Sequence, residues 1–266
     1  MKNTLQKTIL PLVLATAGFS AHAGWLDALG LNKSTNSSAA TGTAALAALS
    51  DTQVVGGLKD ALGNGLQHAI ANLGHDGGFM TNINVKIPLP EKLQSAEKAL
   101  RAVGQEKLAD DFVTTMNHAA EQAVPSAAGV FVDAVKQMSI DDAKSVLTGP
   151  ADSATQFFRR TTQTNLYAKF YPIVQQATAK AGVTGAYKNM MAKVSGNGAL
   201  GGFGSSLTGM ADKYVGADAL DVDAYVTTKT LDGLFKMVAD EEKNIRSNPV
   251  ARTTDLMQKV FGAVGK

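Results

Sequence analysis

From Ser50 onward the apolar residues recur three and four positions apart with little interruption, and that period decides the fold class. Val54, Val55, Leu58, Leu62, Leu66, Ala69, Ile70 and Leu73 trace one stripe. Leu93, Ala96, Leu100 and Val103 trace a second, and Leu108, Phe112, Met116, Ala119 and Ala123 a third. Helix punctuation separates them. Ser50 with Gln53 reads as a capping box and Ser139 with Asp142 as a further N-cap. Pro90 opens a helix at its favoured first position, Gly104 stops it, and Thr148-Gly149-Pro150 ends another. Gly56, Gly57, Gly63 and Gly65 weaken the first helix but allow a neighbouring backbone to come close.

Further along, a long helical segment runs from about Ser153 to Ala181, with a kink expected at Pro172. A short helix is expected from Thr184 to about Val194, followed by a glycine-rich loop over 195–209. The last long helix spans about Asp221 to Arg246, and Thr253 or Thr254 caps a final short one through Phe261. One stretch breaks the period. Asn84 to Pro90 alternates and carries two prolines, so it is extended. The expected fold is all-α, a single helical bundle-like domain with one short extended segment.

The N-terminus is of another kind. Lys2 and Lys7 precede a short apolar run, and Ala21-His22-Ala23 follows, the three parts of a secretory signal peptide cleaved after Ala23. The run is too short to serve as a membrane anchor, and no transmembrane segment is expected in the mature chain. Residues 24–49 are then an apolar hook around Trp25 on a small, polar, flexible linker, and 50–266 the helical domain. Cleavage takes Lys2 and Lys7 from the 25 basic residues and leaves as many bases as the 23 acids. A balanced charge argues against nucleic acid as a partner. With no cysteine, disulfides, thiolate metal sites, thiol catalysis and a lipid-modified N-terminal cysteine are all excluded. The expected location is periplasmic or secreted.

Little in the chain announces chemistry. The glycine-rich stretch lacks the Lys-Ser/Thr of a P-loop and follows no strand, and Ser205-Ser206 has no nucleophile-elbow context. His118 and Glu121 have a spacing that suits one metal, but both lie off the Leu108/Phe112/Ala119 stripe and read as an exposed polar pair. His75-Asp76 reads as turn chemistry, and Asp218, Asp221 and Asp223 as acids at a helix start. No metal, catalytic residue or cofactor is assigned.

The last long helix is more informative. Leu231, Leu234, Val238 and Ile245 form its stripe, and Glu241 and Glu242 fall roughly 60° and 40° to either side of Val238. Arg246 follows Glu242 by four residues, and Arg252 lies just past the turn. On the earlier long helix Arg159 is in phase with Leu166, Phe170 and Ile173. Carboxylates at the border of an apolar stripe need partners. Arg159 or Arg160 is therefore expected to meet Glu241 or Glu242, as a structural ion-pair lock or as a ligand site.

Several stretches resemble the secreted bacterial family catalogued as domain of unknown function 4197. They are Leu58-Lys-Asp-Ala-Leu-Gly-Asn-Gly65, Gly77-Gly-Phe79 through Val85-Lys-Ile-Pro-Leu-Pro90, and Met116-Asn-His-Ala-Ala-Glu121. Others are Ala154-Thr-Gln-Phe-Phe-Arg-Arg-Thr-Thr162 and Tyr225 through Phe235, and the most specific is Glu241-Glu-Lys-Asn-Ile-Arg-Ser-Asn-Pro-Val-Ala-Arg-Thr-Thr-Asp255. The resemblance covers about Ser50 to Gly262 and implies an envelope location and an α-helical fold; it implies no activity. The family pattern often has arginine where this chain has His118, and residues 195–209 look like a local insertion.

Two functions compete at this point. One is a non-enzymatic envelope protein that binds a small apolar or amphipathic ligand, or an envelope protein partner, in a helical cleft. The other is a hydrolase-like enzyme using Glu241 or Glu242 with Arg159 or Arg160. A large apolar cavity with charges at its mouth would favour binding, and an open polar cleft with unpaired glutamates would favour catalysis.

Overall fold

The structure, a computed structural model, describes residues 49–102, 104–180 and 221–264. The expected leader, the expected hook and linker up to residue 48, the helix expected over 184–194 and the loop expected over 195–209 lie outside the described residues. The described part is all-α: α1 (Asp51–Leu73), α2 (Glu91–Ala102), α3 (Glu106–Ala123), α4 (Ala127–Gln137), α5 (Ile140–Thr148), α6 (Ser153–Lys180), α7 (Val222–Ser247) and α8 (Asp255–Val264). Single 3₁₀ turns, Val124–Ser126 and Pro249–Ala251, lead into α4 and follow α7. No helix among the described residues is long and apolar enough to cross a membrane.

The helix boundaries follow from local chemistry. The Ser50 side chain accepts from the Gln53 amide while the Gln53 side chain accepts from the Ser50 amide, which closes the capping box of α1. Ser139 and Asp142 do the same for α5, and Asp221 caps α7 through the Ala224 amide. Of the two threonines before α8 it is Thr254 that caps, accepting from the Met257 amide at 3.1 Å. Gly104 has φ +69°, a left-handed turn between α2 and α3 that a side chain would strain. α6 continues through Pro172, which lies on its exposed side.

α7 packs along α6 and also meets α1 and α3, while α1 carries α4, α5 and α8. Phe131 meets Phe158 and Phe235 edge to face at 5.5 and 6.4 Å, tying α4, α6 and α7 together. Phe79, Phe112 and Phe170 are fully buried as well. Burial of each such side chain contributes about 1.5–3 kcal/mol. The early glycines do bring helices close. A Cβ on Gly57 would stand 2.9 Å from Leu256 Cγ and from Val260 Cγ2 and 3.0 Å from the Leu256 carbonyl, so α8 lies directly against the α1 backbone.

The segment before α2 makes a turn around Asn82–Val85 and is then extended through Pro90, with no strand beside it among the described residues. Its partner is a side chain. Asn117 of α3, fully buried, accepts from the Ile87 amide at 2.8 Å and donates to the Ile87 carbonyl at 2.9 Å. One amide group thus satisfies both backbone groups that a neighbouring strand would have taken.

Candidate functional site

The charges of the last long helix end up as helix caps. Glu242 is 7% exposed, and its carboxylate faces the first turn of α6. Oε1 accepts from the Ala154 amide at 3.0 Å, and Oε2 from the Thr155 amide and hydroxyl, both at 2.9 Å. An anion here meets the unsatisfied N–H groups and the positive end of the helix dipole together. Arg246 reaches Oε1 with Nε at 3.0 Å and Nη2 at 2.8 Å. The same guanidinium donates to the carbonyls of Val146 and Leu147 at the C-terminal end of α5. Arg252, also buried, donates to the Ile245 and Arg246 carbonyls, the open end of α7. Burial pushes its guanidinium below the usual arginine range.

One staple therefore joins the end of α5, the start of α6 and the end of α7. A carboxylate has about four lone-pair positions, and five donors already occupy those of Glu242. It offers none to a substrate. The voids beside it are about 10 and 20 Å³, room for about one water each.

The expected partnership of Arg159 or Arg160 with these glutamates is corrected by the direction of packing. α6 and α7 run antiparallel, so Ala154 and Thr155 face Glu242 while Arg159 faces the preceding turns of α7. Its guanidinium sits 4.6 Å from the centre of the Phe235 ring and 3.7 Å from Asp232, half-exposed. Asp232 lies ten residues before Glu242, roughly 15 Å along the helix. Arg160 leans over the Phe157 ring at 5.8 Å on the exposed side of α6. Glu241 is separated from Glu242 and has the exposed His68 3.8 Å away.

Of the pair read as surface polars, His118 is half-exposed as expected but Glu121 is not. Glu121 is 2% exposed, and its Oε1 accepts from the Phe79 and Met80 amides at 2.9 and 3.1 Å. Oε2 is 2.8 Å from His118 Nδ1, and Asp76 comes from the loop after α1 to the same corner. The stripe-based reading failed because α3 is buried over a wide arc, against α6, α7 and the extended segment. The signal was the run of small residues Ala119, Ala120 and Ala123, which lets neighbours approach on more than one side.

Along α4 and α6, and lined also by Asp142 of α5, lies an open groove of about 700 Å³ that the sequence reading did not identify. Val130, Ala134 and Phe157 supply apolar surface; Asp133, Asn165, Arg160 and Lys169 supply the polar margin. Bonds from the Ser139 hydroxyl and amide, helped by the Arg160 charge, hold the Asp142 carboxyl below the usual range. The volume falls within the usual span of small-molecule sites.

A family model described as a protein of unknown function (DUF4197) matches residues 48–262. Neither a curated protein nor a solved structure matches the chain.

Proposed function

The chain belongs to the DUF4197 family, and from that premise we propose that it is a non-enzymatic binding protein of the cell envelope, taking an amphipathic ligand in the α4–α6 groove. The secretory reading of residues 1–23 supports the envelope location. The groove carries the binding reading: it joins apolar wall to charged margin within one concavity of ligand size. An acyl or ring portion would lie along Val130, Ala134 and Phe157, and a polar head would meet Arg160 and Lys169. Hydrolysis by Glu242 finds no such support, because its oxygens are already filled by Ala154, Thr155 and Arg246.

The test is displacement of a fluorescent anionic amphiphile, anilinonaphthalene sulfonate, from wild type, Ala134→Trp and Arg160→Glu. Ala134→Trp fills the groove and Arg160→Glu reverses the charge at its margin. Each is expected to weaken binding at least about tenfold, which corresponds to about 1.4 kcal/mol. Wild-type affinity in both variants would remove the groove as the site. Mass spectrometry of molecules retained by protein purified from its native envelope would identify the natural occupant.

A further inference from the structure

We propose that Asp76, His118 and Glu121 hold a divalent metal ion of the zinc class, joining the loop after α1 to α3. The inference is independent of the groove and rests on how these donors are arranged. One ligand atom from each residue lies within 4.8 Å of the others. His118 and Glu121 are three apart on α3 and share a face, which places two ligands with no loop between them. Tetrahedral coordination at about 2.0–2.2 Å requires donor separations of roughly 3.3–3.6 Å. The 2.8 Å His118–Glu121 contact therefore opens slightly on binding and the wider separation closes. Asp76, exposed and on a loop, is the member free to close that gap.

Glu121 is the second element of the argument. It is a carboxylate at 2% exposure, and among the described residues its ion pair is with His118 alone, at 2.8 Å. Among the described residues no lysine or arginine forms an ion pair with it. Its Oε1 is fixed by the Phe79 and Met80 amides, and this turns Oε2 towards His118 and Asp76. Clamping one oxygen of a ligating carboxylate with backbone donors is how outer-shell bonds orient metal ligands. A doubly charged ion would neutralise the Glu121 and Asp76 carboxylates together.

The donor set chooses among metals. Calcium and magnesium take oxygen ligands, whereas imidazole with carboxylates suits zinc and its neighbours. Three protein ligands leave a coordination position for water. Bound there, the ion would tie Asp76 to α3 and hold the turn that carries Phe79 into the core.

The experiment is zinc titration of chelator-treated full-length protein by competition with a chromogenic chelator. Wild type is expected to show one tight site. His118→Arg leaves a cation facing Glu121, preserving the fold, but removes the imidazole ligand. It is expected to weaken zinc binding by at least about tenfold, the least that loss of even an outer-shell partner costs. Asp76→Asn, on the exposed loop, is expected to weaken it similarly and gives the answer should His118→Arg unfold. His68→Ala, outside the cluster, is expected to bind as wild type does. In hydrogen exchange, zinc is expected to slow the Phe79 and Met80 amides in wild type and not in the variants. Absence of a stoichiometric wild-type site, or equal affinity in wild type and Asp76→Asn, would overturn the proposal.

Discussion

An isolated buried ion pair and a pair of helix caps respond oppositely to simultaneous removal of both partners, and Glu242 with Arg246 is where the two can be told apart. Replacing both members of an isolated buried pair by apolar residues is often neutral or stabilising, whereas removing one costs about 3–5 kcal/mol. Here each partner also has backbone duties. Arg246→Met takes two donors from Glu242 and leaves the Val146 and Leu147 carbonyls without theirs. Glu242 keeps its bonds from Ala154 and Thr155, so its charge is not left bare, and the expected loss is about 2–3 kcal/mol. Glu242→Leu uncaps α6 and leaves Arg246 with neutral carbonyls only; the expected loss is about 3–4 kcal/mol. In the double variant the amides of Ala154 and Thr155 and the carbonyls of Val146 and Leu147 all lose partners, at about 1–3 kcal/mol for each that water does not reach. The double variant is therefore expected to stay at least about 4 kcal/mol below wild type. At about 2–4 °C per kcal/mol for a domain of this size, its melting temperature falls by roughly 8–16 °C. Urea unfolding followed by far-ultraviolet circular dichroism measures all four proteins. A double variant within about 1 kcal/mol of wild type would refute the capping argument.

Gly57→Ala gains about 1 kcal/mol in helix propensity but drives a methyl into Leu256 and Val260, so a net loss of about 1–3 kcal/mol is expected in thermal melts, with faster amide exchange in α8. Burial lifts the Asp60 carboxyl to about 6 from 3.8, so the folded state binds this proton more tightly than the unfolded one. That contribution is present below about pH 4 and is lost as pH rises through 6. Asp60→Asn is accordingly expected to raise stability at pH 7.5 and leave it unchanged at pH 4, by about 1 kcal/mol after allowing for half-exposure; equal effects at both pH values would contradict this. Asn117→Leu strands the Ile87 amide and carbonyl, and a loss of about 2–4 kcal/mol is expected with exchange at Ile87 accelerated beyond that of its neighbours.

The helices were legible because their signals are local. Ser50 with Gln53, Ser139 with Asp142, Gly104 and Thr254 act within one turn of their own position, and neighbours in sequence suffice to read them. The inward position of Glu242 was legible from its angle to Val238, and so was its favourable spacing to Arg246. Its other partners were not. Peptide N–H groups carry no sequence signature, so the start of α6 could not be told from an arginine as the ligand of that carboxylate. Arg159 was misassigned because phase along one helix says nothing about which way the next helix runs. Glu121 and Asn117 were missed for a related reason: both serve the backbone of residues 79–87, a segment with no regular period of its own.

The packing of α8 into the glycine face of α1 also has a consequence for biogenesis. These helices are separated by roughly 180 residues, so at about 5–20 residues per second Leu73 is made some 10–40 s before Asp255. Throughout that interval the surface around Gly57 has no native cover, and the nascent chain cannot complete its core. Completion waits for α8 to emerge. A truncation just before Asp255 should therefore leave the surface around Gly57 permanently uncovered and make the chain a persistent client of holding chaperones.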